Sequence, residues 1–171
     1  MIVTASGSVI GADEKSAMHA AVEKGWLTAG PITEKFEQGL SRFTGIRHVH
    51  AVNSGSSANL VAVATMVEAG IWKAGDEIIT VAASFPTTVN PLLLYGLFPV
   101  FVDIELGTYN AAPETVKAAV TDKTRGVMMA HTLGNPYTLP ELGLPVIEDC
   151  CDALGSTVDG VHVGTKAHLS T

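Results

Sequence analysis

The segment Asn53-Ser54-Gly55-Ser56-Ser57-Ala58 follows an apolar run from His48 to Val52 and opens a helical pattern that continues through Leu60. Residues of these types at a strand-to-helix turn can seat an anion. The first helical turn leaves N–H groups unpaired and carries the positive end of the helix dipole, and Gly55 with the small Ser56 and Ser57 lets a phosphate reach the backbone. Two other polar groups end apolar runs: Ser84-Phe85-Pro86-Thr87-Thr88 and Glu148-Asp149. Each also has a plainer reading. The serine turn is an ordinary N-cap, Phe85 a core residue, and Asp149 a strand-end carboxylate satisfied by a neighbouring amide.

Positioning these groups falls to alternating strands and helices. Ala12 to Lys24 reads as a helix with acidic residues in its first turn and Gly25 at its end, and Pro31 opens a second helix whose Ile32, Phe36, Leu40 and Phe43 share one apolar face for core or interface packing. Strands are expected at His48 to Val52, Glu77 to Val81, Pro99 to Asp103, Gly126 to His131 and Leu144 to Asp149, with helices over Leu60 to Val67, Thr87 to Tyr95 and Pro113 to about Val120. Short apolar strands separated by helices predict an α/β fold, a mostly parallel sheet with helices on both faces. The stretch from Thr132 to Pro145 carries too many Gly and Pro for a crossover helix, so the last strand docks through a minimal connection. We divide the chain into a helical segment, 1–45, and part of a large cofactor-binding α/β domain, 46–171.

Composition narrows the partners. With 171 residues, 47% of them apolar and 16% charged, the chain can bury one sizeable core, and its net charge of −7 argues against nucleic acid or an anionic membrane as a partner. No apolar stretch has the length of a membrane span, and Met1 to Lys15 lacks the features of a secretion signal, so the expected location is cytoplasmic. Adjacent Cys150 and Cys151, on opposite faces of a strand, are expected to be buried free thiols. His48 and His50 share a strand face without a third ligand, and no metal site is expected.

In an open parallel sheet, ligands bind beyond the carboxyl ends of the strands, where all three polar groups fall. A flat, phosphorylated, nitrogen-containing ring would suit them. The helix N-terminus takes the phosphate, Phe85 stacks on the ring, and Asp149 pairs with a protonated ring nitrogen; pyridoxal phosphate fits that description.

The same residues carry a resemblance. Asn53 to Ala58, Ser84-Phe85-Pro86-Thr87, Phe101-Val-Asp-Ile104, His131-Thr-Leu-Gly-Asn-Pro136 and Ile147-Glu-Asp-Cys-Cys-Asp-Ala-Leu-Gly155 resemble, in order and over nearly the whole chain, the DegT/DnrJ/EryC1/StrS family of pyridoxal-phosphate-dependent sugar aminotransferases and dehydrases of fold type I. Trp26 to Gly30, Pro86 to Pro91 and Gly107 to Asn110 are most similar to the CDP-4-keto-6-deoxyglucose 3-dehydrase branch of lipopolysaccharide dideoxysugar synthesis. The resemblance implies a pyridoxal or pyridoxamine phosphate held by Gly55 and the Ser56 and Ser57 amides, with Phe85 on the ring, Asp149 at its nitrogen and Asp152 near its hydroxyl. Asp152 as a plain turn cap is the competing reading, and His131 is either a substrate contact or a satisfied structural histidine.

It further implies a homodimer, a nucleotide-linked ketosugar as substrate, and a catalytic Lys or His after Thr171, the segment Gly164 to Thr171 resembling what precedes that position. Lys166 falls in the preceding loop and is not assigned that role. The C-terminal small domain, and the cysteines that bind an iron–sulfur cluster in full-length dehydrase relatives, are likewise expected outside these residues. The reading is thus the N-terminal part of a sugar 3-dehydrase, inactive alone. A sugar aminotransferase, or a non-catalytic module that binds a phosphorylated ligand or a subunit, are the alternatives.

Overall fold

A computed structural model describes residues 7 and 9–171; the first residues of the N-terminal segment lie outside the described residues. Five strands, β1 (Glu77–Val81), β2 (Phe98–Val102), β3 (Thr124–Ala130), β4 (Val146–Asp149) and β7 (Leu169–Ser170), form a wholly parallel sheet in the order β2-β1-β3-β4-β7. A separate antiparallel hairpin joins β5 (Thr157–Val158) to β6 (Val161–His162). The helices are α1 (Ala12–Lys24), α2 (Pro31–Thr44), α3 (Gly55–Glu68), α4 (Pro86–Leu94) and α5 (Pro113–Ala118).

Side chains alternate along a strand, so a sheet covered on both sides must be apolar at consecutive positions. Ile78 and Met128 pack on one face with Ala62, Val63 and Met66 of α3 and Leu92 of α4, whereas Ile79, Val127 and Met129 pack on the other with Val116 of α5 and Tyr137. The connection from β3 to β4 contains one turn of 3-10 helix, Thr132–Gly134, and is otherwise irregular. Hydrogen bonds stand in for a packed helix there: the Asn110 side-chain amide donates to Asn135 O (2.9 Å) and the Tyr137 hydroxyl to Met129 O (3.1 Å). The parallel register Val127↔Val146 through Ala130↔Asp149 follows from this anchored crossover.

Several expectations need correction. His48 to Val52 form no strand, because no neighbour supplies a ladder; His48 and His50 face β7 across a hollow of about 620 Å³. Ile32, Phe36 and Phe43 of α2 are exposed, so of the two roles expected for that face the core role is excluded. The last long strand stops at Asp149, which leaves Cys150 half-buried and Cys151 exposed in the turn that follows. The hairpin and β7, each strand only two residues long, had no apolar run to announce them.

Candidate functional site

A cleft of about 250 Å³ opens at the carboxyl edge of β3 and β4, lined by Gly55, Ser56, Ser84, Phe85, Thr87, Ala130, His131, Thr132, Asp149, Cys151 and Asp152. Residues remote in sequence converge here because α3 and α4 begin, and β3 and β4 end, at the same edge. Of the expected site residues only Ser57 is absent from the lining. Ser54 is the N-cap of α3, and its Oγ accepts the Ser57 N–H at 3.1 Å. That bond engages the Ser57 amide expected in the phosphate seat, whereas the Gly55 and Ser56 amides are unpartnered among the described residues. A Cβ on Gly55 would overlap Cys151 Sγ, so any side chain there would force that thiol into another rotamer.

Asp149 is buried at the end of β4. Its Oδ2 accepts hydrogen bonds from Asn59 Nδ2 (2.8 Å) and Thr88 Oγ1 (2.7 Å), and its Oδ1 accepts the Cys151 N–H (3.1 Å). Asn59 and Thr88 are fully buried and went unrecognised in the sequence. Helix-interior position disguises the first. Thr88 stood within the singled-out turn, and its place in the first turn of α4 was the available signal. Phe85, at 69% exposure, is no core residue; it stands at the mouth of the cleft. Asp152 is exposed beside it, and its carbonyl lies 2.9 Å from where a Cβ on Gly134 would sit, a position whose φ of +80° already favours glycine.

His131 is buried and spent. Its Nδ1 accepts the Tyr137 N–H (3.1 Å), so the ring proton resides on Nε2, which faces Glu148 Oε2 at 3.2 Å. Tyr137 stacks on the ring with centroids 4.1 Å apart, and the Gly164 N–H donates to the same Glu148 carboxylate. Burial first, then the Glu148 charge, holds the Tyr137 hydroxyl well above the ordinary phenol range. Both ring nitrogens of His131 are committed within the chain, which favours the structural role over the substrate contact. His131, Glu148 and Cys150 also bring three potential metal ligands within 4.8 Å of one another. A metal would need the Nε2 lone pair, and the Tyr137 N–H selects the tautomer in which a proton occupies that nitrogen.

Burial pushes the Cys150 thiol up to about 12, with Glu148 adding to it. Cys151 is pushed up to about 11, first by burial and then by the neighbouring Asp149 charge. The thiolate is the nucleophile, so despite its exposure Cys151 should alkylate slowly at about pH 8, the rate climbing roughly tenfold per pH unit towards its pKa. Mass spectrometry of the folded chain treated with iodoacetamide across this range measures the profile; a plateau reached by about pH 9, as for an unperturbed thiol, would contradict it.

The lining suits a phosphorylated aromatic cation. It combines unpartnered helix N-terminal amides, an aromatic side chain, a carboxylate with acceptor capacity left on Oδ1, and two buried hydroxyls, Ser84 Oγ and Thr132 Oγ1, that have no partner among the described residues. Pyridoxal phosphate therefore fits the residues present.

A model of the DegT/DnrJ/EryC1/StrS aminotransferase family matches residues 8–171. The chain is 48% identical to the lipopolysaccharide biosynthesis protein RfbH of Salmonella typhimurium, covering 99% of this chain and 41% of that protein. It is 47% identical to a dTDP-4-dehydro-2,6-dideoxy-D-glucose 3-dehydratase of Saccharopolyspora spinosa, covering 97% and 38% respectively. The chain thus spans about two fifths of these relatives. Among solved structures, an E. coli GDP-4-keto-6-deoxy-D-mannose-3-dehydratase with bound hydrated PLP superposes with a TM-score of 0.89 at 32% identity, over 94% of this chain and 43% of that one. An aminotransferase from Psychrobacter cryohalolentis superposes at 0.80 and 28% identity, over 91% and 41%. These likenesses agree with the fold class expected from the sequence.

Proposed function

The chain belongs to the DegT/DnrJ/EryC1/StrS aminotransferase family, and on that footing we propose that it forms one wall of the cofactor cleft of a sugar 3-dehydrase acting on a nucleotide-linked 4-keto-6-deoxy sugar. One observation carries the reading: the buried Asp149 carboxylate shares a single cleft with the α3 N-terminus and Phe85. When bound, pyridoxal or pyridoxamine phosphate supplies an electron sink for the carbons beside the sugar's keto group. The residues of this chain bind and orient it. Gly55 and Ser56 amides and the α3 dipole hold the phosphate, Phe85 covers a ring face and excludes water, and Asp149 Oδ1 keeps a proton on the ring nitrogen. Asp152 takes the neighbourhood of the ring hydroxyl.

The relatives named for their substrates are 3-dehydratases on sugars carried by different nucleotides, dTDP and GDP, so the shared chemistry is the ketosugar diphosphonucleotide rather than one base. The dehydratase also superposes better than the aminotransferase, which favours dehydration over amino transfer. Among the described residues, no Lys or Arg lines the cleft. A helix N-terminus offsets only part of a phosphate's charge. We therefore place the remaining cations, the opposite wall and the group that takes the substrate proton outside this wall, in a homodimer whose contacts include the exposed Ile32, Phe36 and Phe43. The iron–sulfur ligands of dehydrase relatives are placed outside it too.

Absorbance titration with pyridoxal and pyridoxamine phosphate tests the reading. Saturable binding by the purified chain, with no dehydration of a CDP-, dTDP- or GDP-linked 4-ketosugar, is the expected result. No saturable binding would overturn the cofactor wall, and turnover by the chain alone would overturn the half-site.

A further inference from the structure

Two of the three groups that hold Asp149 are neutral side chains with no other evident task. Asn59 Nδ2 and Thr88 Oγ1 donate to Oδ2 at 2.8 and 2.7 Å and fill both of its lone-pair directions, whereas Oδ1 receives only the Cys151 N–H at 3.1 Å. The terminal torsion of an aspartate is a broad, two-fold well, so the backbone alone does not say which oxygen faces the cleft. Asn59 is itself oriented. Thr171 Oγ1 donates to Asn59 Oδ1 at 2.7 Å, which turns the amide NH₂ toward the carboxylate.

We propose that Asn59 and Thr88 are positioning residues that fix the Asp149 carboxylate with Oδ1 presented to the ring nitrogen, an inference that rests on the cofactor reading above. Their places in the fold explain why one node can do this. Asn59 sits one turn into α3, the helix whose first residues form the phosphate seat, and Thr88 sits in the first turn of α4, directly after Phe85. Thr171 follows β7, where its N–H donates to Glu148 O and its carbonyl accepts from Cys150 N–H. The phosphate seat, the stacking residue and the carboxylate are thus tied to one hydrogen-bonded centre at 0–5% exposure.

The test loads the chain with pyridoxal phosphate labelled at the ring nitrogen with nitrogen-15 and reads affinity and nitrogen protonation together, in variants shown by circular dichroism to be folded. Thr88→Val keeps the shape and removes the hydroxyl; Thr88→Ser keeps the hydroxyl and removes the methyl. Asn59→Leu removes the amide, and Thr171→Val removes the outer bond. Thr88→Val and Asn59→Leu should each weaken binding about tenfold and move the nitrogen signal toward the unprotonated form. Thr88→Ser should match the parent, and Thr171→Val should fall between. Asp149→Asn is the control and should lose both readouts.

If the parent does not bind, or Asp149→Asn binds as the parent does, the cofactor reading fails and the inference with it. If Asp149→Asn loses the protonated signal while Thr88→Val and Asn59→Leu keep it at parental affinity, the inference alone is overturned. An equal loss in Thr88→Ser and Thr88→Val, with the nitrogen signal unchanged, would make the residues packing only and overturn it as well.

Discussion

Asp149→Ala should unfold at markedly lower urea concentration than the parent, with a loss of about 3–5 kcal/mol, and should bind no pyridoxal phosphate. The stability cost does not come from the carboxylate itself. Truncation strands the Asn59 amide, the Thr88 hydroxyl and the Cys151 N–H, the first two fully buried, with no acceptor in reach. An unsatisfied buried donor costs on the order of 1–3 kcal/mol, and relaxation around a small cavity recovers only part of the sum. Asp149→Asn separates the two effects. Its amide oxygen can still accept from Cys151 and the Thr88 hydroxyl can rotate to accept from the new NH₂, which leaves only the Asn59 amide facing another donor, so about 1–3 kcal/mol should be lost. Binding should still fall as far as in the alanine variant, because a neutral amide cannot hold a proton on a pyridine nitrogen. Urea melts paired with cofactor titration measure both; an alanine variant as stable as the asparagine one would show that the three donors find water and that the node is not structural.

That node also marks how far the sequence could be read. β1 was legible because the β-branched run Ile78-Ile79-Thr80-Val81 directly follows the break at Gly75-Asp76-Glu77. α3 and α4 were legible from their openings, Ser54-Gly55 and Phe85-Pro86. His48 to Val52 has the same apolar look as β1 and is not a strand, since a strand is defined by a neighbour that composition does not supply. Cys151 was misplaced because the two cysteines were read as strand residues although the strand was expected to end at Asp149, as β4 does; two residues past that end, the thiol stands at the rim of the cleft. Asn59 was invisible for a deeper reason: its partner is 90 residues away, and the bond exists only because α3 packs across the carboxyl end of β4. The acid of the site could be read in the chain. The groups that aim it are a product of the fold.

Packing at the far end of α3 governs that aim, and Trp72→Ala tests it with the second large effect, a loss of about 3–5 kcal/mol. Trp72 follows the helix end, is 1% exposed, and donates its indole N–H to Arg125 O at 2.9 Å. Its ring lies over Gly126 of β3, where a Cβ would meet Trp72 Cζ2 at 2.5 Å and two more ring atoms at 2.7 Å. The indole thus locks the carboxyl end of α3 onto the sheet, while the amino end of the helix presents Gly55 and Ser56 to the cleft. Gly126→Ala attacks the same contact from the other side. A buried ring cannot yield as a flexible chain end does, so overpacking should cost about 1–3 kcal/mol and break the Arg125 bond. The two changes should not add. With the indole gone, the new methyl occupies part of the void, and the double variant should be more stable than the sum of the singles by about 1 kcal/mol or more. Strict additivity in urea unfolding would mean that ring and glycine do not share the space, and that α3 is held at the site by its other contacts, Ala62, Val63 and Met66, alone.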